Sequence, residues 1–145
     1  MEKAGEVGLV HGVREFLYRI HSSIRLAVAT NSNHNRVVCA LDRYSILPLF
    51  SEVVVASRSL RPKPEPDLYK YVVSRLGLAT DVCAAIEDAP VGLQAAKRAG
   101  VFAIGLTSAL SLAKLLPYSD LVIADFNELD RHLRARREEQ RSPHD

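Results

Sequence analysis

The chain has 145 residues, 48% of them hydrophobic and 25% charged, which fits one ordinary domain with its own core and excludes a mostly disordered chain. Its net charge of +2 lies entirely in residues 131–145, where five arginines outweigh three acidic residues. No aromatic or glycine pattern of a nucleic-acid module accompanies these arginines, and no apolar run approaches membrane-spanning length, so we expect neither nucleic acid nor a membrane as a partner.

The N-terminal segment and the cysteines bear on the cellular compartment. The first twenty residues contain Glu2, Glu6 and Glu15 and lack a long apolar stretch, which argues against a signal peptide. Cys39 and Cys83 fall in apolar surroundings, where buried reduced thiols are the expected state. The sequence therefore predicts a cytoplasmic protein.

Apolar residues at positions i, i+3, i+4 and i+7 predict two helices, each with one buried face. The two sets are Val13, Phe16, Leu17 and Ile20, and Tyr69, Val72, Val73 and Leu76. Short apolar runs between and after them predict strands that are covered on both faces. In chain order we predict a helix around 13–20, a strand at 26–30, a helix at 34–44, a strand at 52–56, a helix around 69–76, a strand at 83–87, a helix at 90–99, a strand at 101–106, a helix at 108–116, a strand at 121–125 and a helix at 127–138.

Strict alternation of strands and helices predicts an α/β fold with right-handed crossovers and a mainly parallel sheet between helices. Gly77 and Gly100 stand where helix C-terminal glycines belong, and Pro90 suits a first helical turn. The basic residues after position 130 are predicted to be a helix end that frays into solvent. We therefore predict a core domain of residues 1–130 and a basic tail of residues 131–145.

Ligands of open parallel sheets bind beyond the carboxyl ends of the strands, and the first two polar strand ends suit an anion. Thr30 and Asn31 place a hydroxyl and backbone N–H groups just before a helix, an arrangement that favours phosphate. After the second strand, the segment SRSLRPKPEPDLY presents Lys63 between prolines that stiffen the loop. We therefore predict a phosphate site at this edge.

The third polar strand end carries two adjacent carboxylates, Glu87 and Asp88. Two neighbouring negative charges need a cation, a solvated loop or a functional reason. Carboxylates beside a lysine and an anion site fit Mg²⁺ and a phosphate monoester, because Mg²⁺ prefers a few carboxylates together with water and substrate oxygens. The three strand ends together favour phosphoryl-transfer chemistry.

Three segments, LAVATNSN, RPKPEPDLY and IEDAPVGLQAAKRAG, resemble the second, third and fourth motifs of the haloacid dehalogenase superfamily, in its branch of phosphoglycolate phosphatases and beta-phosphoglucomutases. The resemblance covers roughly residues 9 to 130 and implies a Rossmann-like three-layer α/β/α sandwich. It further implies that Thr30 and the Asn31 backbone bind phosphoryl oxygens, that Lys63 offsets charge on phosphate and nucleophile, and that Asp88 holds Mg²⁺ with support from Glu87.

The chain departs from this family at the nucleophile. The family's reaction begins with an aspartate that attacks phosphorus, in a D-x-D motif at the end of its first strand. Here no aspartate precedes Asp42, and none of the eight aspartates is followed by another two residues later. The family's helical cap, on which substrate selection largely depends, is also absent from the sequence.

The missing first strand is central in the family's sheet, between the strands that end in Thr30 and Glu87. Its omission leaves a gap of roughly 10 Å between neighbours unless they close up, since strands lie about 4.8 Å apart. We consider three alternatives: the flanking strands pair directly, the N-terminal EVGLV fills the slot, or another polypeptide does, as in a dimer or with a complementing fragment.

Two functions remain open from the sequence. The first is a Mg²⁺-dependent phosphatase core for small phosphorylated metabolites, inactive alone because the nucleophile is absent. The second is a phosphate-binding or protein-interaction module that kept the fold without the reaction. A generic nucleotide binder fits less well, because neither a G-x-G-x-x-G motif nor a Walker-type lysine loop occurs.

Overall fold

The computed structural model describes residues 8–141, which form an α/β fold with parallel strands, as predicted. Apart from three short 3-10 helices, the elements are α1 (Val13–Ile20), β1 (Ala27–Thr30), α2 (His34–Arg43), β2 (Glu52–Val55), α3 (Asp67–Leu76), β3 (Ala84–Glu87), α4 (Pro90–Arg98), β4 (Phe102–Leu106), α5 (Leu112–Leu115), β5 (Leu121–Ile123) and α6 (Phe126–Arg141).

Most predicted elements are confirmed within two residues at their ends; α5 is shorter than predicted, and α6 ends three residues later than predicted. The helix predicted at 108–116 is shorter, Leu112–Leu115, and is followed by a 3-10 turn that contains Pro117. Pro117 has no backbone N–H to donate to the carbonyl four residues earlier, so the α-helix does not continue through it. Pro90 lies at the start of α4, and Gly77 and Gly100 have positive φ angles of 66° and 79° just after helices, as their positions predicted.

The strands form two separate parallel sheets rather than one. β1 pairs with β2, from Ala27 opposite Glu52 to Thr30 opposite Val55. The second sheet has the order β3-β4-β5, with β4 in the middle. Within residues 8–141 no strand pairing joins β1 to β3, so the sheet is divided at the position where the sequence lacks a strand.

The two strands that border this division present backbone groups to it. In β1 the carbonyls of Leu26 and Thr30 accept hydrogen bonds from the β2 side, so the alternate residue Ala29 faces the opposite way. In β3 the carbonyl of Cys83 accepts a hydrogen bond from the β4 side, so Ile86 faces away from β4. We call the space between these two edges the slot.

The structure bears differently on the three alternatives for filling the slot. Direct pairing of the flanking strands does not occur among the described residues. Of the segment EVGLV, Glu6 and Val7 lie outside the described residues, and positions 8–10 are not in a strand. Occupation of the slot by another polypeptide stays a prediction.

The core lies on both faces of the three-stranded sheet. On one face α4 packs over β3 and β4 through residues that include Leu93 and Ala103. Helix α3 lies beside α4 on this face and packs over β1 and β2 around Leu68 and Val54. On the other face α1 and α6 pack over β4 and β5 around Phe16 and Ile123. Both predicted apolar helix faces point inward, which confirms helices on both sides of a parallel sheet.

The described part of the tail continues helix α6 to Arg141. The helix starts at Phe126, where the Asp125 side chain accepts a hydrogen bond from Glu128 N at 2.8 Å, and so Asp125 caps it. Beyond residue 130, Leu133 packs against the core and Arg134 pairs with Asp130 one turn earlier. The fraying predicted after residue 130 is therefore not seen before Arg141, and the boundary at residue 130 stays a prediction.

Both cysteines are free thiols, but the expectation that both are buried is wrong: Cys39 is exposed, and Cys83 is only partly buried. Cys39 lies on α2, a helix with no buried residue. Its apolar neighbours in sequence therefore pack less deeply than their hydrophobicity suggests. Within residues 8–141, no helix combines the length and the apolar character needed to cross a bilayer.

Candidate active site

The end of β1 is shaped by short-range hydrogen bonds. Thr30 Oγ1 accepts a hydrogen bond from Ser32 N at 3.0 Å, which turns the chain toward α2. Asn33 then caps α2, because its Oδ1 accepts from Asn35 N at 3.0 Å and from Arg36 N at 3.4 Å. The helix N-terminus predicted after Thr30 is therefore present, with two of its N–H groups already paired by Asn33.

Asn31 ties the Lys63 loop to β1. Lys63 N donates to Asn31 Oδ1 at 2.9 Å, and Asn31 Nδ2 donates to Lys63 O at 3.4 Å. The side-chain amide thus pairs with the backbone of the distant loop through both of its polar atoms. The structure therefore brings together the two segments, at Asn31 and at Lys63, from which the sequence predicted one site.

Lys63 crosses from one sheet to the other. Its ammonium donates to Ala29 O in β1 at 2.7 Å and to the Glu87 carboxylate at the end of β3. The Lys63 side chain is only 8% exposed and that of Glu87 13%, so this ion pair is largely shielded from water. A shielded ammonium must be paired to remain charged, and both of its contacts meet this need.

The Glu87 carboxylate accepts a second hydrogen bond, from helix α3. The hydroxyl of Tyr69 in α3 donates to Oε1, the same oxygen that Lys63 contacts. Burial raises the pKa of Tyr69, and the nearby negative charge and hydrogen bond of Glu87 raise it further, so the phenol stays protonated. Glu87 is therefore held inside the protein by a cation and a neutral donor.

Asp88 has different surroundings from its neighbour. It is exposed, and its Oδ2 accepts a hydrogen bond of 3.5 Å from Ser108 Oγ. A cavity of about 290 Å³ opens beside it, lined by Leu9, Val10, Ile86 and Leu106 among others. Glu87 also lines this cavity, but its carboxylate is engaged by Lys63 and Tyr69, whereas Asp88 is the more exposed of the two.

The carboxylates of the site can supply part of the coordination shell of Mg²⁺, but they cannot surround the ion completely. Among residues 8–141, no three His, Cys, Asp or Glu side chains converge closely enough to hold a metal ion by themselves. Asp88 offers an accessible carboxylate, whereas Glu87 Oε1 already accepts two hydrogen bonds. Mg²⁺ commonly binds one or two carboxylates and completes its shell with water and phosphate oxygens, which agrees with this arrangement.

Three residues of this site were not predicted from the sequence. Tyr69 was assigned only to an apolar helix face, although a buried tyrosine hydroxyl usually has a hydrogen-bond partner and that rule could have pointed to a carboxylate. Ser108 approaches Asp88 through tertiary packing, and no local signal in the sequence indicates that contact. Gly92 follows Glu87 by five residues, and a glycine inside a predicted helix could have indicated that another group lies close to its backbone.

Comparisons with known proteins identify the family of this chain. The family profile described as haloacid dehalogenase-like hydrolase matches residues 1–106. Among curated proteins, the validoxylamine A 7'-phosphate phosphatase of Streptomyces hygroscopicus subsp. limoneus is 32% identical over 121 residues, 83% of this chain and 56% of the relative. The beta-phosphoglucomutase of Bacillus subtilis is 31% identical over 99 residues, 68% of this chain and 43% of the relative.

The fold is also similar to those of solved structures from this family. A predicted phosphoglycolate phosphatase from Haemophilus somnus superposes with a TM-score of 0.79 and 26% identity, covering 87% of this chain and 57% of that chain. The present chain thus spans about half the length of the relatives it matches. On the matched profile and these relatives, the chain belongs to the haloacid dehalogenase-like hydrolase family.

Proposed function

We propose that this chain is the phosphate- and Mg²⁺-holding part of a phosphatase core for small phosphate monoesters of the phosphoglycolate or sugar-phosphate type. The observation that carries the proposal is Lys63, a shielded ammonium held at the carboxyl ends of β1 and β3. Ala29 O and Glu87 use two of its three N–H groups, and no further acceptor contacts it within residues 8–141. The third N–H is available to a phosphate oxygen.

Each predicted residue has a role in this proposal. Thr30 and the Asn31 backbone bind phosphoryl oxygens beside Lys63, whose charge offsets that of the phosphate. Asp88, with Glu87 in support, holds Mg²⁺. When bound, Mg²⁺ polarises the phosphoryl group and adds positive charge where negative charge develops. The names of the phosphatase relatives support a phosphorylated small molecule as the substrate class.

The chain is not expected to turn over substrate by itself. None of its eight aspartates belongs to a D-x-D pair. Glu87 is held by Lys63 and Tyr69, so it is poorly placed to attack phosphorus. Without a nucleophilic carboxylate near the phosphate, binding can be retained while the covalent step is lost.

We propose that the slot takes one extended apolar segment from outside these 145 residues, and that this segment ends in the missing aspartate. Residues 1–7 are a poor occupant, because Glu2, Lys3 and Glu6 would place charges inside the sheet. A second copy of this chain has no D-x-D pair to contribute. The open edges of β1 and β3 offer backbone partners to a strand between them. Because both cysteines are free thiols, we keep the cytoplasm as the expected location.

The activity test uses the chain alone with Mg²⁺ and either phosphoglycolate or a chromogenic phosphate ester. We expect no phosphate release above background. Robust release that is abolished by Asp88→Asn would contradict the proposal and would require a nucleophile among the other residues. Upstream coding sequence with a D-x-D strand and a helical cap in frame would identify the complementing segment as part of the same protein.

The metal assignment is tested separately by calorimetry with MgCl₂ in the presence of inorganic phosphate. We expect any heat of binding to disappear in Asp88→Asn and to persist in Asp81→Asn, a matched control at an exposed position. Equal binding by the wild type and Asp88→Asn would remove Asp88 from the metal site. Phosphate binding that requires Lys63 but not Mg²⁺ would favour the non-catalytic phosphate-binding module, the alternative that the missing D-x-D pair supports.

A further inference from the structure

We propose that Tyr69 is a positioning residue: its hydroxyl and the open space at Gly92 fix the Glu87 carboxylate so that it holds the Lys63 ammonium between the two sheets. This inference deepens the proposed phosphate-holding role of Lys63 and rests on it. It assigns to Glu87, first considered as a metal-supporting group, a more specific task within the site.

The first support is that Tyr69 contacts both members of the ion pair. Its hydroxyl donates to Glu87 Oε1, and the Lys63 Nζ lies 5.1 Å from the centre of its ring. A cation at this distance from an aromatic face is attracted by it. Tyr69 is only 8% exposed and sits on α3 within the core, so its ring has little freedom to move.

The second support is the fit between Glu87 and helix α4. A Cβ atom placed on Gly92 would lie 2.2 Å from Glu87 Oε2 and 2.3 Å from its Cδ, closer than any non-bonded contact allows. Only glycine therefore leaves room for the carboxylate in its present position. Gly92 is inside a helix, where glycine costs about 1 kcal/mol relative to alanine, so local propensity alone does not explain it.

These contacts leave the Glu87 carboxylate enclosed on three sides, by Lys63, by Tyr69 and by the backbone of Gly92. Both carboxylates line the cavity, but Asp88 has none of these contacts and is exposed. The two adjacent carboxylates therefore have different roles. Glu87 positions the Lys63 ammonium, and Asp88 is the carboxylate that is accessible to a ligand.

The geometry makes a definite claim about Lys63. Without the Tyr69 hydroxyl, Glu87 loses one of its two donors and can rotate away from α3. The ammonium would then be fixed mainly by Ala29 O and would exchange its protons with water more readily. A hydrogen bond of this kind contributes about 1.5 kcal/mol, which corresponds to a change of roughly tenfold.

The test observes the Lys63 ammonium directly in ¹H–¹⁵N spectra of the full chain with ¹⁵N-labelled lysine. A hydrogen-bonded, shielded ammonium gives a resolved signal, assigned by its absence in Lys63→Met. We expect proton exchange with water to accelerate at least about tenfold in Tyr69→Phe. Tyr71→Phe, a matched change on the same helix at a side chain that is 43% exposed, should leave the signal unchanged.

A second variant keeps the proposal falsifiable if Tyr69→Phe fails to fold. Gly92→Ala keeps Tyr69 but displaces Glu87, and alanine is otherwise favourable in a helix. It should also accelerate proton exchange of the Lys63 ammonium with water, while the circular dichroism spectrum remains that of the wild type. An unchanged signal in either folded variant, or a wild-type Lys63 that exchanges like a solvent-exposed lysine, would overturn the proposal.

The spectra need neither Mg²⁺ nor phosphate, so the two proposals can fail separately. Titration with inorganic phosphate should shift the Lys63 signal if the proposed function is correct. A Lys63 signal that depends on Tyr69 but does not respond to phosphate would support the positioning role and remove the phosphate-holding function.

Discussion

The two sheets of this protein differ in how completely they are packed. In β4, the central strand of the larger sheet, residues 103–106 are all buried, whereas none of the four residues of β1 is. The sequence predicted both as strands covered on both faces. The difference arises because β4 has a strand on each side, while β1 has a partner only in β2. Apolar sequence alone therefore does not show whether a strand's neighbours are present.

The two sheets also differ at the candidate site, because one contributes a positive charge and the other contributes negative charges. The loop that carries Lys63 is tied to β1 through Asn31, and the carboxylates of Glu87 and Asp88 end β3. The well-packed sheet holds the anionic groups, and the open sheet holds the cation. Three measurements test this contrast.

The largest effect is expected in the core of the larger sheet. Leu93 is fully buried, so Leu93→Ala should lower the free energy of unfolding by about 2–5 kcal/mol. Val53→Ala, at a half-buried position in β2, should cost about 1 kcal/mol. Urea denaturation of both variants measures the difference. Similar losses would show that the two sheets contribute equally to the core.

Hydrogen exchange should report the open edge of β1. Ala29 faces the slot, whereas Ile104 lies in a strand that is paired on both sides. We expect the Ala29 amide to exchange at least about 100-fold faster than the Ile104 amide in native conditions. Equal protection of the two amides would mean that the slot is filled, either within the chain or by a second copy. Measurement at several protein concentrations separates those two cases.

The smallest effect concerns the attachment of β5 to β4. Ala103 N donates to Asp120 Oδ2 at 2.8 Å, and this bond, with help from Lys97, holds the pKa of Asp120 below its usual range. A lowered carboxyl pKa stabilises the fold above the unfolded-state pKa of about 3.9, and the stabilisation is lost as the pH falls through the folded-state value.

Asp120→Ala should therefore cost about 1.5 kcal/mol at pH 7, since the variant leaves the Ala103 N–H of a fully buried residue unpaired. The difference in the free energy of unfolding between the wild type and the variant should become smaller below about pH 4. Urea denaturation across this pH range measures it, with the exposed Asp81→Ala as control. A difference that grows on acidification would contradict the assigned pKa direction.

Local signals predicted the fold well, and tertiary contacts account for what they missed. The order of strands and helices and the Gly77 terminus depend on a few neighbouring residues and are confirmed. The exposure of Cys39 depends on what covers α2, and the partner of the Tyr69 hydroxyl lies 18 residues away in Glu87. Neither can be deduced from a short window of sequence.

The attachment of Lys63 has a consequence for the width of the slot. Asn31 and Ala29 O fix the lysine to β1, and only its ammonium reaches Glu87 at β3. The distance between the two strands is therefore limited by the reach of one side chain. A segment that spreads the strands apart must separate a shielded ion pair, which costs energy unless the segment supplies a carboxylate of its own to the ammonium. Strand insertion and charge replacement would then be a single event.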